Sequence, residues 1–417
     1  MRSNPTVWLV HQEATTPETG NGGRVYYYAR ELARRGCSVY LVAASWHHLM
    51  SAPPDLPNEG VVHKKEIESN LRVAWIRMRS YGNAHSRLRI LSWFLFGWRL
   101  RRNAAAISET PDVIIASSPP LIGVGTAQAL ARRFGAKSIL DIRDIWPVTL
   151  EKIGSISHHN PLVMMMRHLE RKAYDNADHI TSNLEHARRH LEAFGVDSDR
   201  FTWLPNGVPV EDVAGGENAS NEPVRDVGPS AFVVGYAGTI GLSNALEYLL
   251  DAASLLEVES SVQFILYGDG KDRQRLERIV EERGITNVRF KGVIEKRHVM
   301  EALQGCDALY LGWADSSLYD FGIGASKISE YLLSGRPILH SFSGRGDPIA
   351  RCAAGVTVPA GDPAAIAEGV RRLQAMDPAH RREMGARGRQ YALQKLDYRV
   401  LGAELFNVIE RFRARDE

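Results

Sequence analysis

Short apolar runs, each followed by a longer stretch with helical spacing, recur along the whole chain and constrain its fold more than any other feature. They are VWLV at 7–10, SVYLVAA at 38–44, DVIIASS at 112–118 and SILDI at 138–142, then AFVVGYA at 231–237, VQFILYG at 262–268, NVRF at 287–290, ALYLG at 308–312, RPILHSF at 336–342 and GVTVP at 355–359. Strands of a parallel sheet covered on both faces read as unbroken apolar runs, and helical crossovers supply the amphipathic sequence between them. The pattern predicts a doubly wound α/β sheet in each half. Between the halves, PVEDVAGGENASNEPVRDVGPS (209–230) has no apolar periodicity and is rich in Gly, Pro, Asn and acidic residues, as a linker would be. At 417 residues the chain is too long for one ordinary core. The expected organisation is a Rossmann-like domain over 1–208, a linker over 209–230, a second Rossmann-like domain over 231–395, and a segment 396–417 forming a helix that crosses back to the first domain.

Charge is nearly balanced, with 51 Lys+Arg against 49 Asp+Glu, so the global field offers no reason to wrap a polynucleotide. Cys37, Cys306 and Cys352 are widely spaced and lack metal-ligand intervals, which fits a reducing compartment. The VWLV run near the start is far shorter than a signal-peptide core, and no apolar run approaches the ~20 residues that span a bilayer. A cytoplasmic protein is expected.

Ligands of doubly wound sheets bind beyond the carboxyl ends of the strands. In the second half the loops there are Gly238-Thr239-Ile240-Gly241, Gly268-Asp269-Gly270, Lys291-Gly292-Val293 and the long WADSSLYDFGIGASK at 313–327. Their glycines allow backbone to approach a ligand, and each loop precedes a helix whose N-terminus favours an anion. With Ser326 as a helix cap, Lys327 falls in the first turn, where its ammonium and free amides can converge on a phosphate. Glu330 points from the same face and can accept two hydroxyl hydrogen bonds, as from a ribose. The plainer alternative is an i,i+3 ion pair on a solvated surface.

Taken in order, GYAGTIG, YGDG, VRFKGV and LYDFGIGASKISEYLLSGRPIL resemble the donor domain of the retaining glycosyltransferases of family 4, which have the GT-B fold of two Rossmann-like domains facing across a cleft. NGGRVYYYARELARRGCSVYLVAASWHH, ASSPPLIG, LDIRDIWP and LPNGV follow the order found in bacterial members that build O-antigen, capsule and exopolysaccharide. The likeness covers nearly the whole chain and is strongest to the branch that includes N-acetyl-fucosamine transferases. The resemblance implies that Glu330 binds the ribose of a nucleotide sugar, and that Lys327, at the helix start formed by Ser326, binds its diphosphate. It places Gly238 and Thr239 beside the phosphates, Gly268, Asp269, Gly270 and Val293 around the base, and Gly22 and Gly23 over the donor from the first domain. Several positions depart from the wider family; where many members carry a histidine near the donor sugar, LDIRDIWP has Arg143 followed by Asp144. Gly322 stands where many members carry a second glutamate, and Thr239 and Asn244 stand where many carry an arginine and a lysine. These changes read as altered sugar recognition.

Cleaving a sugar–phosphate bond leaves negative charge on the departing diphosphate, so preorganised donors are needed there. Lys327, the Gly238-Thr239 amides and helix N-termini are the candidates, with Arg143, in LDIRDIWP, as a second cation; a salt bridge from Arg143 to Asp141 or Asp144 is the competing reading. Asp144 is the carboxylate best placed to orient a sugar or acceptor hydroxyl, or else it caps a turn. The resemblance implies retention without an enzymic nucleophile. No metal site is expected: the one Asp-x-Asp, Asp197-Ser198-Asp199, reads as a solvated turn, and no His/Cys cluster suggests zinc. His47 and His48 follow a strand and are candidates to touch acceptor or sugar, although such loop side chains more often face solvent.

Residues 85–102, HSRLRILSWFLFGWRLRRN with its neighbour Asn103, bracket Trp93, Phe94, Phe96 and Trp98 with arginines. A helix there would stack Leu88, Leu91, Leu95 and Trp98, suiting an anionic bilayer surface, or else a core helix with snorkelling arginine ends. The expected function is therefore a metal-independent, retaining glycosyltransferase of hexosyl or N-acetylhexosaminyl type. It would use no cofactor beyond a nucleotide-sugar donor, UDP-linked by family habit, and a glycan or polyprenyl-diphosphate-linked acceptor, in cell-surface polysaccharide synthesis at the inner face of the plasma membrane. Alternatives are a nucleotide-sugar 2-epimerase of similar fold and a non-catalytic nucleotide-sugar-binding subunit.

Overall fold

The computed structural model describes residues 4–81, 87–108, 110–152, 157–214, 228, 230–258 and 261–415. They divide into two units, one running to Asn206 and resuming at Tyr398, the other spanning Gly207–Asp397. The first unit takes two residues fewer than expected from the N-terminal side, because Val208 forms a parallel bridge with Asp397 and so belongs to the second. The expected linker begins as a short helix, Val210–Ala214, whose Val210 and Val213 pack on the second unit's core. Linker residues 215–227 and 229 lie outside the described residues.

In the first unit the strands are β1 (Thr6–Val10), β2 (Ser38–Ala44), β3 (Val62–Glu68), β4 (Leu71–Ile76), β5 (Val113–Ser118), β6 (Lys137–Ile142), β7 (His179–Ser182) and β8 (Phe201–Trp203). They form one sheet in the order β3-β4-β2-β1-β5-β6-β7-β8. All pairings are parallel except β3 with β4. The β3–β4 hairpin is an addition that the apolar runs do not announce: β3 reads VHKKEIE, and its exposed Lys64, Lys65 and Glu66 blunt the sheet edge. The C-terminal helix Tyr398–Arg415 packs in this unit, burying Leu401, Leu405, Val408, Ile409 and Phe412 with Leu32, Val39, Leu41 and Val73.

In the second unit β9 (Phe232–Ala237), β10 (Val262–Tyr267), β11 (Val288–Gly292), β12 (Ala308–Gly312), β13 (Ile338–Ser341) and β14 (Gly355–Val358) form a wholly parallel sheet ordered β11-β10-β9-β12-β13-β14. That is the strand order of a Rossmann sheet, reversing direction between β9 and β12. The first sheet reverses between β1 and β5.

Candidate active site

At the reversal point of the second sheet, the glycine turns and the Lys327–Ser334 helix come together. The turn after β10 stacks on the loop after β9: a Cβ on Gly268 would lie 1.9 Å from the Gly238 carbonyl oxygen, and one on Gly270 2.1 Å from that of Ile240. Only glycine permits this approach. Backbone bonds lace the loops together, with Ile240 N donating to Asp269 O at 2.9 Å and Gly268 N to Gly292 O at 2.7 Å. The Gly238 amide, expected to face a phosphate, instead donates to Tyr267 O at 3.0 Å. Among the described residues the Thr239 and Gly241 amides have no acceptor, so they are the donors this loop leaves open. Asp269 and Thr239 are exposed, and Val293 is 73% exposed at the rim.

Lys327 opens its helix and turns into this loop: a Cβ on Gly238 would lie 2.7 Å from Lys327 Cε and 3.0 Å from Nζ. Nζ donates to Tyr236 Oη at 2.6 Å and to Asn244 Oδ1, and sits 4.6 Å from the centre of the Tyr236 ring. Burial lowers its pKa to about 7, with Glu330 opposing the shift. Neither the ion pair of the plainer reading nor the Ser326 cap is formed. Glu330 pairs with Lys296, on the Lys296–Gln304 helix, and Ser326 has helical backbone angles with no capping bond from its side chain. The Ser326 carbonyl accepts from Ser329 Oγ at 2.8 Å, while its own side chain is exposed beside Lys327.

In the first unit Gly22 and Gly23 have φ of 70° and 92°, and Gly23 precedes the Arg24–Arg34 helix. Arg24, which sequence reasoning did not single out, turns inward and pairs with Asp141 at 2.8 Å. Ser117 and Thr181 donate to the same carboxylate at 2.9 and 3.0 Å. Burial would raise the Asp141 pKa, but Arg24, the Ser117 hydroxyl and the charge of Arg143 bring it below the ordinary value. Arg143 therefore makes no salt bridge to Asp141, nor one to Asp144. Its NH1 donates to His11 Nε2 at 2.8 Å across the β1–β5 reversal, where His11 Nδ1 faces the Ser117 carbonyl at 3.4 Å. Burial and the neighbouring Arg143 push the His11 pKa down to about 3, so the imidazole is neutral and accepts. The Arg143 Nε is buried without a hydrogen-bond partner. Asp144 is exposed, and its carbonyl accepts from Trp146 N at 3.1 Å.

His47 corrects the expectation of a solvent-facing side chain: it is fully buried, its Nε2 faces the Ala14 carbonyl at 3.1 Å, and its Nδ1 accepts from Leu49 N. His48 is half-buried beside Tyr81 and Glu13. Asp197 and Asp199 are exposed around a single 3-10 turn, and no group of three or more His, Cys, Asp or Glu arranged to hold a metal occurs among the described residues.

Residues Arg87–Asn103 form a helix with one buried and one exposed apolar face. Trp93, Phe96 and Leu100 are buried, Trp93 with Leu121 and Met166. Leu88, Leu91, Phe94 and Trp98 are 49–63% exposed, beside exposed Arg101 and Arg102, the latter 5.1 Å from the Trp98 ring centre. No helix among the described residues is long and apolar enough to cross a membrane.

Comparison with known proteins places these features in a family. A model described as a glycosyl transferase 4-like domain matches residues 19–207, and one described as glycosyl transferases group 1 matches residues 231–375. The chain is 24% identical over 185 residues to the putative colanic acid biosynthesis glycosyl transferase WcaI of Escherichia coli, covering 43% of this chain and 45% of that relative, less than half its length. It is 25% identical over 297 residues to a GDP-mannose-dependent alpha-mannosyltransferase of Mycobacterium tuberculosis, covering 66% and 68% of the two chains. Among solved structures, a sucrose-phosphate synthase from Thermosynechococcus elongatus superposes with a TM-score of 0.74 at 17% identity, covering 99% of this chain and 100% of that one. HepE of Anabaena in complex with UDP gives 0.66 at 12% identity over 97% and 100%. Two glycosyltransferase models in order, on a fold shared from end to end, show that the chain belongs to the glycosyltransferases of GT-B fold and family 4 type.

Proposed function

We propose that this glycosyltransferase moves a hexosyl or N-acetylhexosaminyl group, with retention, from a UDP-linked sugar to a glycan or polyprenyl-diphosphate-linked acceptor in cell-surface polysaccharide synthesis. The observation that carries the reading is Lys327, a half-buried ammonium aimed into a glycine loop with no carboxylate bonded to it. An anion is the ligand such a group lacks. In the reaction the anomeric C1–O bond to the diphosphate breaks, the acceptor oxygen bonds to C1, and the acceptor's proton passes to the leaving phosphate. Lys327 and the open Thr239 amide would hold the developing charge, a donor of this kind contributing roughly 10²–10³ in rate. Glu330 would bind the ribose, exchanging its bond to Lys296 for two hydroxyls, and the Gly268–Gly270 turn with Val293 would border the base.

Arg143 is proposed to stabilise charge and Asp144 to orient the sugar or acceptor hydroxyl. Support for Arg143 comes from its pairing with a neutral imidazole, which leaves its charge uncompensated by any bonded carboxylate. With Lys327 and the open amides as the proposed positive field, transfer is expected to proceed without a divalent metal. The exposed apolar face of the Arg87–Asn103 helix is proposed to rest on an anionic membrane, which would bring a lipid-linked acceptor within reach. A colanic acid transferase among the relatives and UDP in the HepE complex favour the pathway class and the base. The mannosyltransferase relative makes GDP the base to test alongside. The test is incubation with UDP-, GDP- and dTDP-sugars in EDTA with a polyprenyl-diphosphate glycan, following the anomeric proton by NMR. An α-linked product from an α-linked donor is expected. An inverted product, a donor epimerised at C2, or strict dependence on added metal would contradict the reading.

A further inference from the structure

The ammonium of Lys327 is held by two side chains that each perform a second task. Tyr236 Oη accepts from Lys327 Nζ and donates to the Thr239 carbonyl at 2.5 Å; Asn244 Oδ1 accepts from Nζ while its Nδ2 donates to the same carbonyl at 2.9 Å. With the lysine charged the directions are forced: an ammonium cannot accept and a carbonyl cannot donate, so the tyrosine proton lies on the Thr239 side and the asparagine amide has one permitted orientation. Burial raises the Tyr236 pKa, which keeps that proton in place. Tyr236 and Asn244 are 1% and 7% exposed, so neither is a casual surface contact.

The result is a closed ring of four hydrogen bonds joining the lysine to the loop. It uses two of the three N–H donors of the ammonium and fixes the direction of the third. It also engages the Thr239 carbonyl with two donors, next to the Thr239 and Gly241 amides, which have no acceptor among the described residues. Tyr236 and Asn244 thus form the polar seat of a cation that comes from another element, the Lys327–Ser334 helix.

Resting on the donor-site reading above, we propose that Tyr236 and Asn244 are positioning residues, which aim the Lys327 ammonium and the Thr239 turn at the diphosphate of a nucleoside diphosphate. The test is calorimetric titration with UDP, and with GDP in parallel, of wild type, Tyr236→Phe, Asn244→Ala and Lys327→Ala, and of each of the first two substitutions combined with Lys327→Ala. Each single variant is expected to weaken binding about tenfold, the size of one charge-assisted hydrogen bond. In the Lys327→Ala background both are expected to lose most of that effect, because their contribution runs through the lysine. A residue that merely supports the loop would weaken binding equally in both backgrounds, and that result would overturn the proposal. So would wild-type affinity in Tyr236→Phe, a single-atom change that settles the matter even if Asn244→Ala unfolds on thermal melting. Loss on Lys327→Ala with no loss on either seat variant would refute the positioning role and leave the donor site standing. Absence of nucleotide binding by wild type would refute both.

Discussion

A lysine half-buried against a tyrosine ring, with no bonded carboxylate, is an unfavourable residue for a fold to keep and a suitable one for an anion to meet. Because burial sets the Lys327 pKa near 7, part of the lysine is neutral at physiological pH. A bound diphosphate favours the charged form and raises that pKa, so the complex holds more protons than the free protein. Nucleotide binding is therefore expected to take up a proton above pH 7 and to weaken as pH rises, by up to about tenfold per unit between the free and bound pKa values. Calorimetry in two buffers of different ionisation enthalpy measures this uptake, and Lys327→Ala should abolish it. Gly268→Ala makes a separate expectation at the same scale. Its Cβ would press on the Gly238 carbonyl at a φ of 131°, so a stability loss of at least ~1–3 kcal/mol on denaturant unfolding, with loss of nucleotide binding, is expected. The residues legible in the sequence were those whose type and position announce charge chemistry: Lys327, Glu330 and the glycines. Tyr236 was hidden as one more aromatic in an apolar strand, and Lys296 as one more surface cation, because their partners lie 91 and 34 residues away.

At the scale of elements, strands buried on both faces were legible because burial on both faces demands an unbroken apolar run. The β3–β4 hairpin escaped because an edge strand answers to solvent and carries charge. The Arg87–Asn103 helix was ambiguous in sequence for a different reason: apolar residues occupy both its faces, so spacing alone does not separate a core helix from a surface one. Its structure separates them, and the exposed face carries a testable expectation. Leu91→Asp with Trp98→Asp should leave thermal unfolding nearly unchanged, since both side chains are more than half exposed, yet reduce binding to anionic liposomes. Reversing Arg101 and Arg102 should do the same and also weaken the salt dependence of binding, at ~1 kcal/mol per charge near the surface. Arg99 is a poorer target because it donates to the Arg77 carbonyl and its loss would disturb the fold. Liposome binding unchanged by all four substitutions would rule this face out.

For the whole molecule, the two repeats of alternating strand and helix and the polar break between them made two Rossmann-like domains legible. Spacing marks the last helix, expected to cross back to the first domain, but not the side chains its apolar face meets. Helix Tyr398–Arg415 contributes six buried side chains to the first unit, although the chain between is the whole of the second. Removing residues 398–417 should therefore destabilise the first unit and leave the second less affected, seen as two separated transitions by hydrogen exchange. The central claim concerns the second unit's ligand, and the most direct measurement is metal-free calorimetric titration with UDP, GDP and dTDP on wild type and on Lys327→Ala/Glu330→Ala. Selective binding of one nucleoside diphosphate by wild type, lost in the folded double variant, is the expected result. Binding that survives the double substitution would place the donor somewhere other than this helix and contradict the account.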